Sequence, residues 1–175
     1  MRYVIAVLAW LGSPALADFT EVPSEVVAQM GQHLEACWQD DGCTDAGALN
    51  LCGEAISAGG APNAWAMCQQ VIYDWWDGRL NAVYQDRMAQ QKAFDADVGG
   101  TTYQDALREM QRAWIPLRDT ACTFAARGQP GGSGAINDQM DCLIQMTITQ
   151  VQFIAHPLTC LNAPARCTEP RQIKY

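Results

Sequence analysis

Apolar residues spaced three and four positions apart recur along most of the chain, and this spacing constrains the fold more than any other feature. Such steps place side chains on one face of an α-helix, whereas a half-buried strand needs alternation at every second residue. The pattern is clear in one late segment, where Ile136, Met140, Leu143, Thr147 and Val151 follow one another at these steps. No stretch alternates apolar and polar residues between turn signals, so the sequence predicts an all-α protein.

Capping residues and paired glycines divide this pattern into about five helices. The predicted helices cover about 24–38, 44–57, 63–97, 102–128 and 133–156. The connections between them are short, so neighbouring helices should pack antiparallel. Pro116 falls inside the fourth predicted helix, where it removes one backbone hydrogen bond and is expected to bend the helix. We therefore expect an antiparallel helical bundle.

The first 17 residues have the organisation of a secretory signal peptide. Arg2 precedes a short apolar run, and the small-residue triplet Ala15-Leu16-Ala17 stands before Asp18. We expect cleavage between Ala17 and Asp18 and a periplasmic or secreted product. The alternative is a buried N-terminal helix of a cytosolic protein. The rest of the chain then divides into a helical domain at 18–157 and an irregular tail at 158–175.

All 8 cysteines follow the predicted signal peptide. An even number of cysteines in an oxidising compartment indicates disulfides, here four, although spacing alone does not determine the pairs. Metal binding is the alternative, but the chain has no Cys-x-x-Cys pair and only two histidines, His33 and His156, so we expect no metal and no cofactor. The cysteines are Cys37, Cys43, Cys52, Cys68, Cys122, Cys142, Cys160 and Cys167.

Acidic residues outnumber basic ones, 19 Asp and Glu against 11 Lys and Arg, which gives a formal charge of -8. Loss of the predicted signal peptide removes one positive charge, Arg2, and changes this value to -9. The chain has no cluster of Lys and Arg, so nucleic acid is excluded as a partner. A basic protein partner is compatible with the charge.

The fourth predicted helix carries polar groups on one face, where Gln111, Trp114, Arg118 and Cys122 are three or four residues apart. A buried guanidinium needs partners, so Arg118 is expected to stack on Trp114 and to pair with Asp119, another acid or backbone carbonyls. Two interpretations stay open: a polar seam that sets the helix register, or a binding surface. Further polar groups, Asn81 and Tyr84, lie on the preceding helix.

A set of residues follows in a defined order between Cys68 and Thr147. It comprises Cys68, Asp77, Leu80-Asn81, Tyr84, Leu107, Gln111-Arg112-Ala113-Trp114, Arg118-Asp119, Cys122, Gly131-Gly132-Ser133, Cys142 and Thr147. This order resembles the LprI-type lysozyme-inhibitor domain family, over about 68–154 of the chain. One position departs from the family pattern, because Gln150 stands where an arginine is expected three residues after Thr147. An ion pair of the family is therefore absent or relocated in this chain.

The resemblance implies a small exported helical domain that binds and inhibits lysozyme. Lysozymes are usually basic, so the acidity of this chain would accelerate and stabilise such an encounter. The residues themselves argue against an enzyme, because disulfides would consume the thiols that a Cys-His nucleophile needs. The alternative is a non-catalytic structural or scaffold domain of the bacterial cell envelope with another protein partner. The oligomeric state does not follow from the sequence.

Exposed acidic loops are candidates for entering the lysozyme cleft, and the competing interpretation of each is a solvated run of charges. Asp40, Asp41 and Asp45 lie in one such loop, and the other candidate is Asp95 and Asp97 beside Gly99-Gly100.

Two adjacent tryptophans, Trp75 and Trp76, offer a second kind of contact. Neighbouring residues on a helix cannot share a face, so one of the two rings can be exposed and anchor a partner. The competing interpretation places both rings between helices.

The same resemblance implies how the cysteines pair. Cys122 and Cys142 flank the Gly131-Gly132-Ser133 turn on facing helices and form the best-supported pair. The other implied pairs are Cys52 with Cys68, Cys37 with Cys43 and Cys160 with Cys167, and Cys37 with Cys52 is a rival pair.

Overall fold

Helices account for nearly all of the chain that the computed structural model describes, which is 21–39, 45–57, 63–128 and 133–155. The described residues contain no strand, and the predicted all-α bundle is confirmed. The helices are α1 (Ser24–Gln39), α2 (Ala46–Ser57), α3 (Ala64–Val98), α4 (Thr102–Ala125), which runs into a short 3-10 helix (Ala126–Gly128), and α5 (Ser133–Ala155). None of these helices combines the length and the hydropathy needed to cross a membrane. The predicted signal peptide and the tail at 158–175 lie outside the described residues.

The three C-terminal helices alternate in direction. Near the start of both α3 and α5, Gln69 donates a hydrogen bond to Asp141 over 2.5 Å. Near the end of α5, the Arg87 guanidinium of α3 donates to the backbone carbonyls of Ile154 and Ala155. The helices α3 and α5 are therefore parallel. A cation at a helix C-terminus is favourable because it satisfies the last carbonyls.

Contacts at both ends show that α4 runs against its two neighbours. Asp95 near the end of α3 binds the first turn of α4, and Asp77 near the middle of α3 faces Arg118 later in α4. On the other side, Cys122 in α4 is bonded to Cys142 in α5. The expectation that consecutive helices are antiparallel is correct for this part of the bundle.

The N-terminal helices also alternate in direction along the chain. Glu35 in α1 forms an ion pair with Arg79 in α3, and the Trp75 ring lies 3.8 Å from the position a Cβ would take at Gly31, so α1 and α3 are parallel. Helix α2 runs the other way. It approaches α1 closely, since a Cβ at Gly47 would overlap the imidazole of His33, and a larger residue at 47 would require that side chain to move.

The core lies along α3, whose most extensive interface is with α5. Burying a large apolar side chain contributes about 1.5–3 kcal/mol, so this layer is the main source of stability. The polar side chains of Gln69, Thr147 and Gln150 are also buried. The apolar core consists of Val26, Met30, Leu34, Ala48, Cys52, Ile56, Cys68, Ile72, Trp76, Leu80, Ile144, Ile148, Val151 and Ile154.

Disulfides link consecutive helices at two places. Cys52 in α2 is bonded to Cys68 in α3, and Cys122 in α4 is bonded to Cys142 in α5, with Cα–Cα distances of 5.7 Å and 5.3 Å. Both pairs are those that the family resemblance implied. The rival pair of Cys37 with Cys52 is wrong, because Cys52 is bonded to Cys68. Cys37 is also disulfide-bonded, whereas Cys43, Cys160 and Cys167 lie outside the described residues.

Candidate functional site

Arg118 is the centre of a cluster on the α3–α4 surface that also contains Tyr73, Asp77, Trp114 and Asp119; we call it the Arg118 cluster. The guanidinium carbon lies 5.0 Å from the centroid of the Trp114 ring and 5.8 Å from that of Tyr73. Its nitrogens reach Asp119 at 2.8 Å and Asp77 at 3.7 Å. The predicted stacking on Trp114 and pairing with Asp119 are both present, and an acid of α3 is added.

The exposure of the charged groups differs within this cluster. The Arg118 side chain is only 11% exposed, while those of Asp77 and Asp119 are 41% and 55% exposed. Solvent and any partner therefore meet carboxylates, with the compensating cation beneath them. A stacked, partly buried cation of this kind contributes both attraction and packing.

Tyr73 reports the electrostatic character of the same surface. Burial raises the pKa of its hydroxyl, the Arg118 guanidinium lowers it, and the carboxylates of Asp77, Asp119 and Asp74 raise it further. The Tyr73 hydroxyl is therefore surrounded by three negative charges and one positive charge. The Arg118 cluster and its neighbour Asp74 form an acidic surface.

Other residues of the family motif are Asn81, Gln111 and Tyr84, of which Asn81 contacts the Arg118 cluster. The Asn81 side chain donates to Asp77 over 3.2 Å and extends the cluster along α3. Gln111 instead accepts a hydrogen bond of 2.9 Å from Gln150 in α5. The side chain at 150, where the resemblance led us to expect an arginine, is therefore a neutral link between α4 and α5. Tyr84 is half-buried against the core.

An aromatic cluster on α1 and α3 contains the predicted tryptophan pair. Trp76 is only 2% exposed and lies in the core, so it does not present a surface to a partner. Trp75 is half-buried and packs edge-to-face on Trp76, with ring centroids 4.8 Å apart. Arg79 stacks on Trp75 and Trp38, at 5.0 Å and 5.3 Å from their ring centroids. The sequence carried a signal for this stack, because Arg79 is one helical turn after Trp75.

Asp45 is not the exposed end of an acidic loop. Its carboxylate accepts a hydrogen bond of 3.2 Å from the Trp76 indole nitrogen. Burial raises the pKa of Asp45, and this hydrogen bond and the nearby His33 lower it by less. We predicted that Asp45 contacts a partner, but in the structure its carboxylate binds Trp76 within the bundle and has a structural role. Asp40 and Asp41 lie outside the described residues.

Asp95 also has a structural role, whereas Asp97 is exposed. The Asp95 carboxylate accepts hydrogen bonds of 3.0 Å from the backbone N–H groups of Tyr103 and Gln104. Burial raises the pKa of Asp95, but these bonds, the Gln104 side chain and the nearby Arg108 together outweigh it, and the pKa is lowered overall. Asp95 therefore caps α4 and does not reach a lysozyme cleft.

Metal-binding residues do not cluster in the part of the chain that the structure describes. No group of three or more His, Cys, Asp or Glu side chains is arranged there to hold an ion.

Comparison with known proteins identifies the family. The model of the family described as "Lysozyme inhibitor LprI" matches residues 52–153. No curated protein and no solved structure matches the chain. The matched region contains both defined disulfides and the Arg118 cluster, and it begins earlier than the resemblance indicated, at Cys52. Because the match covers more than half of the chain, the protein belongs to the LprI lysozyme-inhibitor family.

Proposed function

We propose that this protein is an exported inhibitor of a basic lysozyme and that it acts by protein–protein binding. Its membership of the LprI family carries the proposal. The family is one of inhibitors and not of catalysts, which agrees with the interpretation of the chain as a binding protein. The excess of acidic residues supports a basic partner, since opposite charges accelerate and stabilise docking.

We further propose that the Arg118 cluster, together with Asp74, is the docking surface. Asp74 is exposed, and Asp77 and Asp119 are partly exposed, so basic side chains can reach all three carboxylates. Arg118 holds two of these carboxylates in place before the partner arrives, which lowers the entropy lost on binding. Asp40 and Asp41 remain a second predicted contact.

Export is part of the same proposal. The signal peptide at 1–17, with cleavage between Ala17 and Asp18, would deliver the chain to the periplasm or the medium. The defined disulfides support an oxidising compartment. N-terminal sequencing of the secreted product tests the cleavage point, and a product that begins elsewhere would contradict it.

The test of inhibition is the lysis of bacterial cell walls by a basic lysozyme in the presence of the exported chain. We expect slower lysis, with the effect weakening as salt rises from about 50 mM to about 500 mM, because salt screens exposed charges. Absence of inhibition across several lysozyme types would overturn the function and favour the alternative of an envelope scaffold.

A pair of variants tests the docking surface. Asp74→Asn with Asp119→Asn removes two carboxylates and leaves Asp77 to neutralise Arg118. We expect the concentration for half-inhibition to rise about fivefold, as two exposed charge pairs contribute about 1 kcal/mol.

The matched control removes two exposed carboxylates elsewhere, by Glu25→Gln in α1 with Glu54→Gln in α2. Neither of these helices contacts α4 within the described residues. An equal loss of inhibition in both double variants would show that net charge alone matters and would exclude the Arg118 cluster as the docking surface.

A further inference from the structure

The outward side of α4 has the opposite character from that expected of a surface helix. Gln111, Trp114 and Arg118 face the bundle, while Leu117 and Phe124 face solvent and are 60% and 76% exposed. Among the large apolar side chains of the described residues, these two are the most exposed. An amphipathic helix normally places its apolar residues inward.

These side chains form one continuous surface along the helix, which we call the outer α4 face. Ala113, Leu117, Thr120 and Phe124 follow at steps of four, three and four residues, and all four are exposed. Apolar residues that are exposed in a continuous row indicate an interaction surface more strongly than scattered ones do. The centre of this face carries no charged residue.

Charged residues of opposite sign lie at its two ends. Glu109 is one turn before Ala113, and Arg127 follows Phe124 by three residues; both are exposed. At a rise of about 1.5 Å per residue they are more than about 25 Å apart, so they cannot pair within one chain. A pair of Glu109 with Arg127 therefore requires a second molecule.

We propose that the outer α4 face binds a second copy of this chain across a two-fold axis, with the two α4 helices antiparallel. When the axis passes close to the level of Arg118 and Asp119, Ala113 lies opposite Phe124 of the second copy, so a small residue faces a large one. Glu109 then lies opposite Arg127 of the second copy, at both ends of the contact. A two-fold interface requires this kind of self-complementarity, in which each patch matches itself reversed.

The contact differs in kind from the proposed lysozyme surface and does not depend on it. Two copies with a formal charge of -8 or more negative repel each other. Salt screens this repulsion as well as the two end pairs of Glu109 with Arg127, but it does not weaken the apolar contact. Self-association should therefore persist or strengthen as salt rises, whereas inhibition of lysozyme should weaken. Failure of either proposal leaves the other open to its own test.

Sedimentation of the exported chain between about 1 µM and about 1 mM tests the proposal, since one helix pair buries a small interface and gives a weak dimer. We expect a concentration-dependent dimer, with a Kd that rises at least about tenfold in Leu117→Glu or Phe124→Glu. Val98→Glu is the matched control, because Val98 is 59% exposed at the end of α3 and away from this face. Circular dichroism confirms that each variant is folded.

Charge reversal tests the two-fold geometry. Glu109→Arg and Arg127→Glu should each raise the Kd several-fold by placing like charges opposite each other, and the double reversal should restore it. A chain that stays monomeric throughout the concentration range would overturn the proposal. A dimer that survives Leu117→Glu and Phe124→Glu, or a double reversal that restores nothing, would overturn it equally.

Discussion

Asp45 illustrates how the surroundings of one residue decide the role of a charge. In the sequence it is one of three aspartates in an acidic loop, but in the structure its carboxylate is half-buried beside Trp76. Burial disfavours the ionised form more than the Trp76 N–H and His33 favour it, so the pKa is raised. An ionised Asp45 at neutral pH is therefore a cost to the folded state.

Asp45→Asn should remove this cost while keeping an oxygen that accepts the Trp76 N–H. Between the ordinary pKa of 3.8 and the raised value, the folded protein binds more protons at Asp45 than the unfolded chain does. Stability due to this group therefore falls as pH rises through that window. As pH rises through this window, Asp45→Asn should become more stable than the unchanged chain, and it should remain more stable at higher pH.

Urea unfolding of both proteins from about pH 4 to about pH 8 measures this difference. Asp45→Ala is the comparison, since it removes the charge and the acceptor together and leaves the indole N–H unpaired. Parallel pH profiles for the unchanged chain and Asp45→Asn would refute the proposed cost.

The contacts of Arg118 show which side-chain interactions can be predicted from the sequence and which cannot. The stack of Arg118 on Trp114 was predictable, because both lie on one helix one turn apart and a buried guanidinium needs such partners. The contribution of Asp77 to the same cluster was not, because it depends on how α3 and α4 are placed in register. Burial of Asp45 against Trp76 depends in the same way on the packing of α2 against α3.

At the scale of helices, one residue, Asp95, forms the hydrogen bonds that join the end of α3 to the start of α4. The backbone carbonyl of Asp95 accepts hydrogen bonds of 2.9 Å from the N–H groups of Gly99 and Gly100, which closes α3. Gly99 adopts φ 78°, a left-handed conformation that glycine permits at low cost. The Asp95 carboxylate then accepts hydrogen bonds from two free N–H groups in the first turn of α4. One residue thus satisfies the end of one helix and the start of the next.

Asp95→Ala should therefore loosen the start of α4. We expect faster hydrogen exchange at the amides of Tyr103 and Gln104 and a lower Tm, because these groups lose their acceptor. The lowered pKa of Asp95 means that its stabilisation is present above the ordinary pKa of 3.8 and is lost as pH falls through the folded value. The deficit of the variant should shrink over that acidic range.

Asp97→Ala is the matched control, since Asp97 is an exposed acid on the same helix and two residues away. A similar fall in Tm in both variants would mean that charge near the corner matters and the cap does not.

The helices were more predictable than this cap. Glycine pairs and apolar spacing are local signals, and the observed ends of α1, α3 and α5 are close to the predicted ones. Thr101 directly precedes α4, yet its side chain makes no capping hydrogen bond. Asp95 instead reaches amides eight and nine positions away, and a rule based on adjacent residues does not find such a contact.

For the whole molecule, the alternation of directions explains the value of the disulfides. Helices α1, α3 and α5 run one way, and α2 and α4 run the other, so each defined disulfide joins two consecutive antiparallel helices. Apolar spacing predicted these pairs of helices, whereas the cysteine partners followed only from the family resemblance. The disulfide between Cys122 and Cys142 also ties α4, which buries only one apolar residue, to the core helix α5.

Replacing Cys122 and Cys142 together by alanine should lower the free energy of unfolding by about 3 kcal/mol, because the bond closes a loop with a sequence separation of 20. Urea unfolding of the exported chain with and without the pair measures the change. Thiol labelling in denaturant without reductant is the control, since the six remaining cysteines should give no free thiol if the other disulfides are intact. A decrease below about 1 kcal/mol, with that control satisfied, would show that packing alone holds α4 on α5 and that the cross-link adds little.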